Sequence, residues 1–192
     1  MIVPTIRGRE ESLARCVESY GPDVNVIVVE GSPTCGEGWI AGLERSSAPF
    51  IHFSCDDLEV RNGAWIEACT ERAGAGDLPC PYVFQPDGSI ESAGGDMKVE
   101  HNLLREWQPD GTEVDFTPVP FLSRDQLEHV QLLPTQYLCD VWVSYRGKHF
   151  GYDTVLTEGY ELTHHRENVG RRPTSRYDVD TFQRALAAVA GG

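Results

Sequence analysis

The first third of this chain alternates apolar segments of strand length with segments of helical character, and this order restricts the folds open to it. The apolar segments are residues 1–5, 24–29 and 50–53. The second reads VNVIVV, a nearly continuous apolar run that is typical of a strand covered on both faces. Helices are predicted after each segment, over residues 10–20, 38–45 and 63–72. The β-α-β-α-β-α order predicts an α/β fold with a mostly parallel central sheet and helices on both faces.

The second half of the chain lacks this regular alternation of strands and helices. Strands are predicted within residues 114–122 and over 154–157, and a helix over 178–190. The tetrapeptide QPDG occurs at 85–88 and again at 108–111, where its Pro-Asp-Gly order indicates two similar turns. No stretch has the composition of a linker, so we expect one compact domain.

Composition fits that expectation. The 192 residues are 40% hydrophobic and 24% charged, the balance of a globular protein with one sizeable core. No apolar run is long enough to span a bilayer, and the N-terminus does not look like a secretory signal. The six cysteines include no C-x-x-C pair, which disfavours a zinc ribbon and a dense disulfide framework. We therefore expect reduced thiols and a cytoplasmic location.

The charge distribution bears on the partners of the protein. A net charge of −14 disfavours broad, nonspecific binding to nucleic acid, which needs clustered cations. Only Lys98 and Lys148 are lysines, whereas four arginines fall within residues 166–176. Arginine pairs well with phosphate oxygens, so Arg171 and Arg172 are candidates for a lid that closes over a diphosphate. The alternative is a solvated basic tail.

Polar residues stand where the predicted strands end. Thr5 ends the first strand, Glu30 follows the second, and Asp56 and Asp57 come after the third. Ligands of parallel α/β sheets bind beyond the carboxyl ends of the strands, so these side chains are expected to meet at one edge. Adjacent carboxylates beside a diphosphate suit a hard cation such as Mg²⁺ or Mn²⁺. Taken alone, however, an Asp-Asp pair is more often a turn or helix-entry feature.

Several short motifs in one order resemble the inverting glycosyltransferases of the GT-A fold, in particular their rhamnosyltransferase-like members. The resemblance covers roughly residues 1–168. Its motifs are IVPTIR (2–7), VIVVEGS (26–32), FIHFSCDDLEV (50–60), PYVFQPDGSIESAGG (81–95), FLSR (121–124), YLCDVW (137–142), Arg146-Gly147 and His164. It implies a nucleotide-binding half over 1–80, an acceptor and catalytic half over 81–168, and a C-terminal lid and helix over 169–192.

The resemblance also implies a role for individual residues. It makes Asp140 the general base and makes Asp57 and His164 the metal ligands. The residues expected to bind the donor are Pro4, Thr5, Arg7, Glu30, Asp56, Arg171 and Arg172. The implied reaction moves a sugar from a nucleoside-diphosphate donor, UDP being favoured, to an acceptor hydroxyl with inversion and with Mn²⁺ or Mg²⁺ as cofactor. The acceptor class stays open: a glycan, a protein, a lipid-linked molecule or a modified nucleic acid.

The chain departs from the family pattern in two places. Residues 40–42 read Ile-Ala-Gly where relatives often carry Arg-Asn-x-Gly, and Cys139 stands where an acid often precedes the catalytic Asp. For single residues there are structural alternatives: Glu30 as a turn acid, His164 as a packed histidine and Asp140 as a helix cap.

Three other functions are alternatives to sugar transfer. The main alternative is a non-catalytic domain of the same fold that binds a nucleotide sugar or a partner. A nucleotidyltransferase is disfavoured because residues 5–9 contain one glycine and no lysine. An enzyme acting on DNA or RNA requires the arginine stretch to be its contact surface.

Overall fold

The computed structural model describes residues 1–98, 104–107, 114–166 and 176–190. The strands are β1 (Ile2–Thr5), β2 (Ile27–Glu30), β3 (Phe50–His52), β4 (Leu58–Val60), β5 (Leu78–Phe84), β6 (Ile90–Ser92), β7 (Gly95–Lys98), β8 (Leu104–Trp107), β9 (Phe121–Ser123) and β10 (Thr154–His164). The helices are α1 (Glu10–Ser19), α2 (Cys35–Glu44), α3 (Trp65–Gly74), α4 (Arg124–His129), α5 (Cys139–His149) and α6 (Arg176–Ala190). The first six predicted elements occur in the predicted order, with boundaries shifted by a few residues, but β4, which was not predicted, lies between β3 and α3.

The N-terminal strands form the parallel part that the alternating pattern predicts. β1 and β2 pair in parallel, with Thr5 opposite Glu30. Phe53 extends this arrangement through a parallel bridge to Ile2, and the Ser54 N–H donates to the Ile2 carbonyl at 3.0 Å. The chain directly after β3 therefore starts beside the first residue of β1 and runs in the same direction as that strand.

The remaining strand pairing corrects the expected mostly parallel sheet, because the fold is mixed α/β. A four-stranded sheet has the order β4-β10-β5-β6, in which only β10 and β5 are parallel. The pairs β3–β9 and β7–β8 are antiparallel as well. The physical reason is local for β5 and β6: the turn at residues 85–89 reverses the chain, so the two strands fold back as a hairpin.

Two of these strands were hidden from pattern analysis. β5 contains Pro79 and Pro81, residues that cannot donate to a strand ladder and that normally argue against an interior strand. β10 was predicted only over residues 154–157, but it runs to His164 with an irregularity between Leu156 and Glu161. Its extra length matters because the end of β10 reaches the loop that carries the paired aspartates.

Helix α2 packs tightly on β1 and so fixes the edge of the sheet. Thr34 caps it by accepting a hydrogen bond from the Glu37 N–H at 3.1 Å. A Cβ at Gly38 would stand 2.6 Å from Pro4 Cβ, closer than real side chains approach. The glycine is therefore required for this packing distance. Within the described part of the chain, no helix combines the length and the apolar character needed to cross a bilayer.

Candidate functional site

The polar residues predicted at the strand ends do meet at one edge. Thr5 and Glu30 are neighbours by strand register. The Thr5 hydroxyl donates a hydrogen bond to Asp56 Oδ2 at 2.7 Å, and this contact is buried. The Ser12 hydroxyl donates to the Asp56 backbone carbonyl at 2.8 Å. These contacts bind the loop after β3 to the end of β1 and to α1, so the position of both aspartates is fixed.

Arg9 lies between the two aspartates, and no sequence motif singled it out. Its Nη2 atom lies 3.2 Å from Asp56 Oδ1 and 3.3 Å from Asp57 Oδ2, with 12% of the side chain exposed. These are ion-pair distances, although the buried Nη2 and Nε atoms make no hydrogen bond of good geometry with the described residues. The guanidinium therefore neutralises the acids through charge and keeps donor capacity for another group.

The end of β10 places His164 beside Asp57. β10 pairs with β4 so that His164 is opposite Leu58, the residue after Asp57, and the His165 N–H donates to the Asp57 carbonyl at 2.9 Å. His164 Nε2 then lies 3.5 Å from Asp57 Oδ2. The two residues that the resemblance assigned to one metal are thus adjacent in space, although 107 positions separate them in the sequence.

A further carboxylate stands on the other side of the His164 ring. Glu91, on β6, has Oε1 3.1 Å from His164 Nδ1 and 2.9 Å from Arg166 Nη2. The contacts run without a break through alternating charges, in the order Arg166, Glu91, His164, Asp57, Arg9, Asp56, with Thr5 at the end. We call these seven residues the charged chain. Glu91 lies within a motif of the resemblance, but its chemistry was not predicted.

The charged chain shifts the pKa values of its members. Burial alone would raise the pKa of Asp57, but the hydrogen bond with His164 and the nearby Arg9 charge outweigh it and lower that pKa. Burial would lower the pKa of His164, but Asp57 and Glu91 raise it to about 9. Burial raises the pKa of Asp56 despite the Thr5 hydrogen bond. In the absence of other ligands, the cluster therefore favours a charged His164 between two carboxylates.

The geometry of Asp57 and His164 fits a shared divalent cation. Two ligands each about 2.1 Å from one ion lie about 3.0 to 3.4 Å apart, and the observed separation is 3.5 Å. Within the described residues no group of three or more His, Cys, Asp or Glu side chains is arranged to hold a metal. Magnesium sites often use only one or two carboxylates, with substrate phosphates and water completing the shell. An ion held jointly by this pair and a diphosphate is therefore compatible with the structure.

The other predicted donor-binding residues occupy different environments. Glu30 is accessible, with 65% of its side chain exposed, and its Oε1 lies 4.0 Å from Nε of the exposed Arg7. Pro4 is half-buried on β1, where it packs against α2. Arg171 and Arg172 lie outside the described residues.

Asp140 is buried in the first turn of α5. The N-cap of this helix is Leu138, in a left-handed conformation with φ of 71°, so Asp140 does not stand at the cap position that the structural alternative gave it. Interactions with the neighbouring thiols of Cys139 and Cys55, together with burial, raise the pKa of the Cys35 thiol. Since Cys139 precedes Asp140 and Cys55 precedes Asp56, one side chain links the loop of the paired acids to the start of α5.

Comparison with known proteins adds little to this picture. No protein family matches the sequence, and no curated protein matches it. Among solved structures, that of S. aureus TarS is similar over 86% of this chain with a TM-score of 0.42 and 12% identity. The aligned part is 35% of the TarS chain, so this chain spans about a third of that length. A likeness of this degree decides neither fold nor activity.

Proposed function

We propose that this protein is a divalent-cation-dependent inverting glycosyltransferase that takes its sugar from a nucleoside diphosphate. The observation that carries the proposal is the pairing of Asp57 with His164, at 3.5 Å, on the edge where β1 and β2 end in Thr5 and Glu30. That edge is where α/β sheets bind nucleotides. A carboxylate, an imidazole and a diphosphate together form a suitable coordination shell for Mn²⁺ or Mg²⁺.

The nucleoside is proposed to lie over the ends of β1 and β2. Glu30 has an exposed carboxylate there, and such a group accepts a hydrogen bond from a base N–H. Arg7 lies next to it with 95% of its side chain exposed, which leaves the guanidinium accessible to a ligand. We favour UDP, whose uracil ring offers one N–H donor that a single carboxylate satisfies; thymine offers the same donor, so the comparison of UDP with TDP is needed to separate them.

The diphosphate and sugar are proposed to lie over the paired aspartates. A bound divalent cation supplies charge neutralisation for the departing nucleoside diphosphate. Arg9, between Asp56 and Asp57, is proposed to offer an N–H to a phosphate oxygen, and Asp56, which accepts a hydrogen bond from Thr5, is proposed to face the sugar or ribose. Asp140 takes the proton of the acceptor hydroxyl as that oxygen attacks the anomeric carbon. A single displacement of this kind inverts the anomeric centre.

A thermal-shift screen tests the proposal. Melting temperatures are measured with UDP, GDP, ADP, CDP and TDP, each with and without Mn²⁺, for the parent protein and for Asp57→Ala. A ligand that binds only the folded state raises the melting temperature, so we expect a rise with UDP and Mn²⁺ together in the parent alone. Asp23→Ala is the matched control, because Asp23 is an exposed acid that precedes β2, at the opposite end of that strand from Glu30.

The same material separates transfer from mere binding. Release of free sugar from a UDP-sugar in the presence of Mn²⁺ is expected of an enzyme, even without the acceptor. Tight binding of the donor with no hydrolysis and no transfer to any acceptor would favour the non-catalytic binding domain. If none of the nucleoside diphosphates shifts the parent melting curve, the proposal is wrong.

A further inference from the structure

Glu91 is a buried carboxylate that is poorly explained by stability alone. Only 6% of its side chain is exposed, and its Oε1 atom accepts from both His164 Nδ1 and Arg166. Its second oxygen, Oε2, is buried and makes no hydrogen bond with any described residue. Burying half of a carboxylate without a partner is costly, and an apolar side chain at this position would avoid that cost. The contact with His164 therefore calls for a functional reason.

The contact determines which ring nitrogen of His164 faces Asp57. Because Nδ1 donates to Glu91 Oε1 at 3.1 Å, the opposite nitrogen, Nε2, is directed to Asp57 Oδ2 at 3.5 Å. Without an acceptor at Nδ1, rotation of the ring about its bond to Cβ would no longer be opposed by a hydrogen bond. A carboxylate behind a ligating histidine has this orienting effect on metal sites in general.

We infer that Glu91 is a positioning residue, which holds the His164 ring with Nε2 toward the cation shared with Asp57. Arg166 supports this arrangement by pairing with the same Oε1 atom, and its backbone adopts a left-handed φ of 48°. The inference rests on the proposed function of Asp57 and His164 as ligands. It adds to that function a residue on β6 that touches neither the cation nor the donor.

The chain provides a matched control in the neighbouring histidine. His165 Nε2 lies 2.8 Å from Glu59 Oε2, so a second Glu–His pair stands one residue further along the chain. Glu59 is more exposed, at 38% of its side chain, and contacts no member of the charged chain in any described hydrogen bond or ion pair. Loss of the Glu59 carboxylate therefore removes a similar interaction without disturbing His164.

Binding of Mn²⁺ is measured by electron paramagnetic resonance, with the ion alone and with UDP, for the parent, Glu91→Gln, Glu91→Leu and Glu59→Gln. We expect Glu91→Leu to bind the ion about 10- to 100-fold more weakly, the usual effect of removing an outer partner of a metal ligand. Glu91→Gln should be intermediate, since its amide oxygen still accepts from Nδ1. Glu59→Gln should match the parent. Circular dichroism melting shows which variants fold, and Glu91→Gln alone is sufficient if Glu91→Leu does not.

Pulsed measurements on the same samples report the coordinated nitrogen directly. The parent should show ¹⁴N modulation from His164 that is absent in His164→Ala and reduced in both Glu91 variants. Parental affinity and parental modulation in the Glu91 variants would overturn the positioning role and leave the proposed function standing. Weaker affinity with unchanged modulation would also overturn it, because Glu91 would then act through charge alone. A parent that binds no Mn²⁺, with or without UDP, would overturn the metal-dependent function and the role of Glu91 together.

Discussion

At the scale of single residues, the site consists of ionisable side chains that are stable in burial only because they are paired. Asp56 is buried, and it contacts the Thr5 hydroxyl and the Arg9 guanidinium. An isolated buried carboxylate would be strongly destabilising, so removal of either partner costs more than a surface ion pair would. Burying these charged groups contributes less to stability than apolar packing would. Groups fixed in this way are, however, already oriented to interact with a charged ligand.

Asp140 provides the sharpest test of catalysis at this scale. It lies in the first turn of α5 and does not cap it, so Asp140→Asn removes a charge near a helix N-terminus, worth about 0.3–1 kcal/mol. We expect near-parental folding and donor binding, with sugar transfer reduced about 100-fold or more, the usual contribution of a general base. Single-turnover transfer from UDP-sugar measures the effect.

The matched control for this variant is Asp178→Asn. Asp178 is also a buried acid in the first turn of a helix, α6, and its Oδ1 accepts from the Gln136 N–H at 2.9 Å. Its substitution should lower stability without a comparable loss of transfer in the folded fraction. Parental transfer rates in Asp140→Asn would show that another group removes the proton.

His52 makes stability depend on pH. The ring is buried, with Nε2 2.6 Å from the Tyr160 hydroxyl, and its Nδ1 has no hydrogen-bond partner among the described residues. Burial, aided by the positive N-terminus, holds the pKa of His52 well below its ordinary value. As the pH falls below about 6.5, His52 therefore takes up a proton in the unfolded chain but stays neutral in the folded chain. The free energy of unfolding falls as the pH falls below that point.

The expected slope is up to about 1.4 kcal/mol per pH unit between about pH 6.5 and 5 from this one residue. Urea unfolding at several pH values measures it. His52→Phe should flatten the slope in that window, whereas His149→Gln, at an exposed position, should leave it as in the parent. An unchanged slope in His52→Phe would assign the acid sensitivity to other groups.

At the scale of secondary structure, the contact of α2 with β1 sets the shape of the sheet edge at which Thr5 and Glu30 lie. Gly38 and Gly42 let the helix approach Pro4 and Ile2, and a Cβ at Gly42 would stand 2.3 Å from Ile2 Cγ2. The polar end of β1 and the start of α2 are consequently close neighbours. The sequence does not show that Gly38 and Gly42 are required for this contact, because the requirement depends on which strand faces the helix.

Gly38→Ala should destabilise the protein by about 1–3 kcal/mol, the cost of overpacking, because the facing Pro4 ring is rigid and cannot rotate away. Gly74→Ala is the control, because Gly74 ends α3 and a Cβ there would meet nothing within 4 Å. This substitution is expected to be neutral or to stabilise the protein by up to about 1 kcal/mol. Urea midpoints of the two variants compare them directly. Equal stabilities would contradict the tight packing of α2 on β1.

At the scale of the whole molecule, a net charge of −14 opposes compaction and attracts any cation. Salt screens such self-repulsion over a distance of about 10 Å at 0.1 M ionic strength. We expect the melting temperature to rise as NaCl increases from low concentration, and Mn²⁺ alone to have a similar general effect. Neither rise by itself indicates a specific site.

Two variants separate general screening from specific binding. Screening by Mn²⁺ or NaCl should be nearly the same in the parent and in Asp57→Ala, since one charge in −14 changes little. The additional rise produced by UDP in the presence of Mn²⁺ should occur in the parent and disappear in Asp57→Ala. Differential scanning fluorimetry with matched ionic strength measures both. An additional rise that survives in Asp57→Ala would place the ion elsewhere.

The sequence by itself determined the local architecture and the positions of the strand-end residues. Apolar runs and helical spacing are local properties, so the order of β1, α1, β2, α2, β3 and α3 followed from them, whereas the short strand β4 did not. The convergence of Thr5, Glu30 and Asp56 followed as well, because parallel strands end at the same edge. The resemblance, which is also a property of sequence, supplied Asp57, His164 and Asp140.

Only the tertiary structure decided how these residues are paired. Arg9, Glu91 and His164 come together through contacts between segments far apart in the chain, with 73 positions between Glu91 and His164 alone. The mixed sheet arises in the same way, because β10 lies between antiparallel β4 and parallel β5. Strand pairing at such separation depends on which surfaces bury one another as the chain closes on itself. A local sequence pattern indicates which residues share one face of a strand, but it does not indicate which other strand pairs with it.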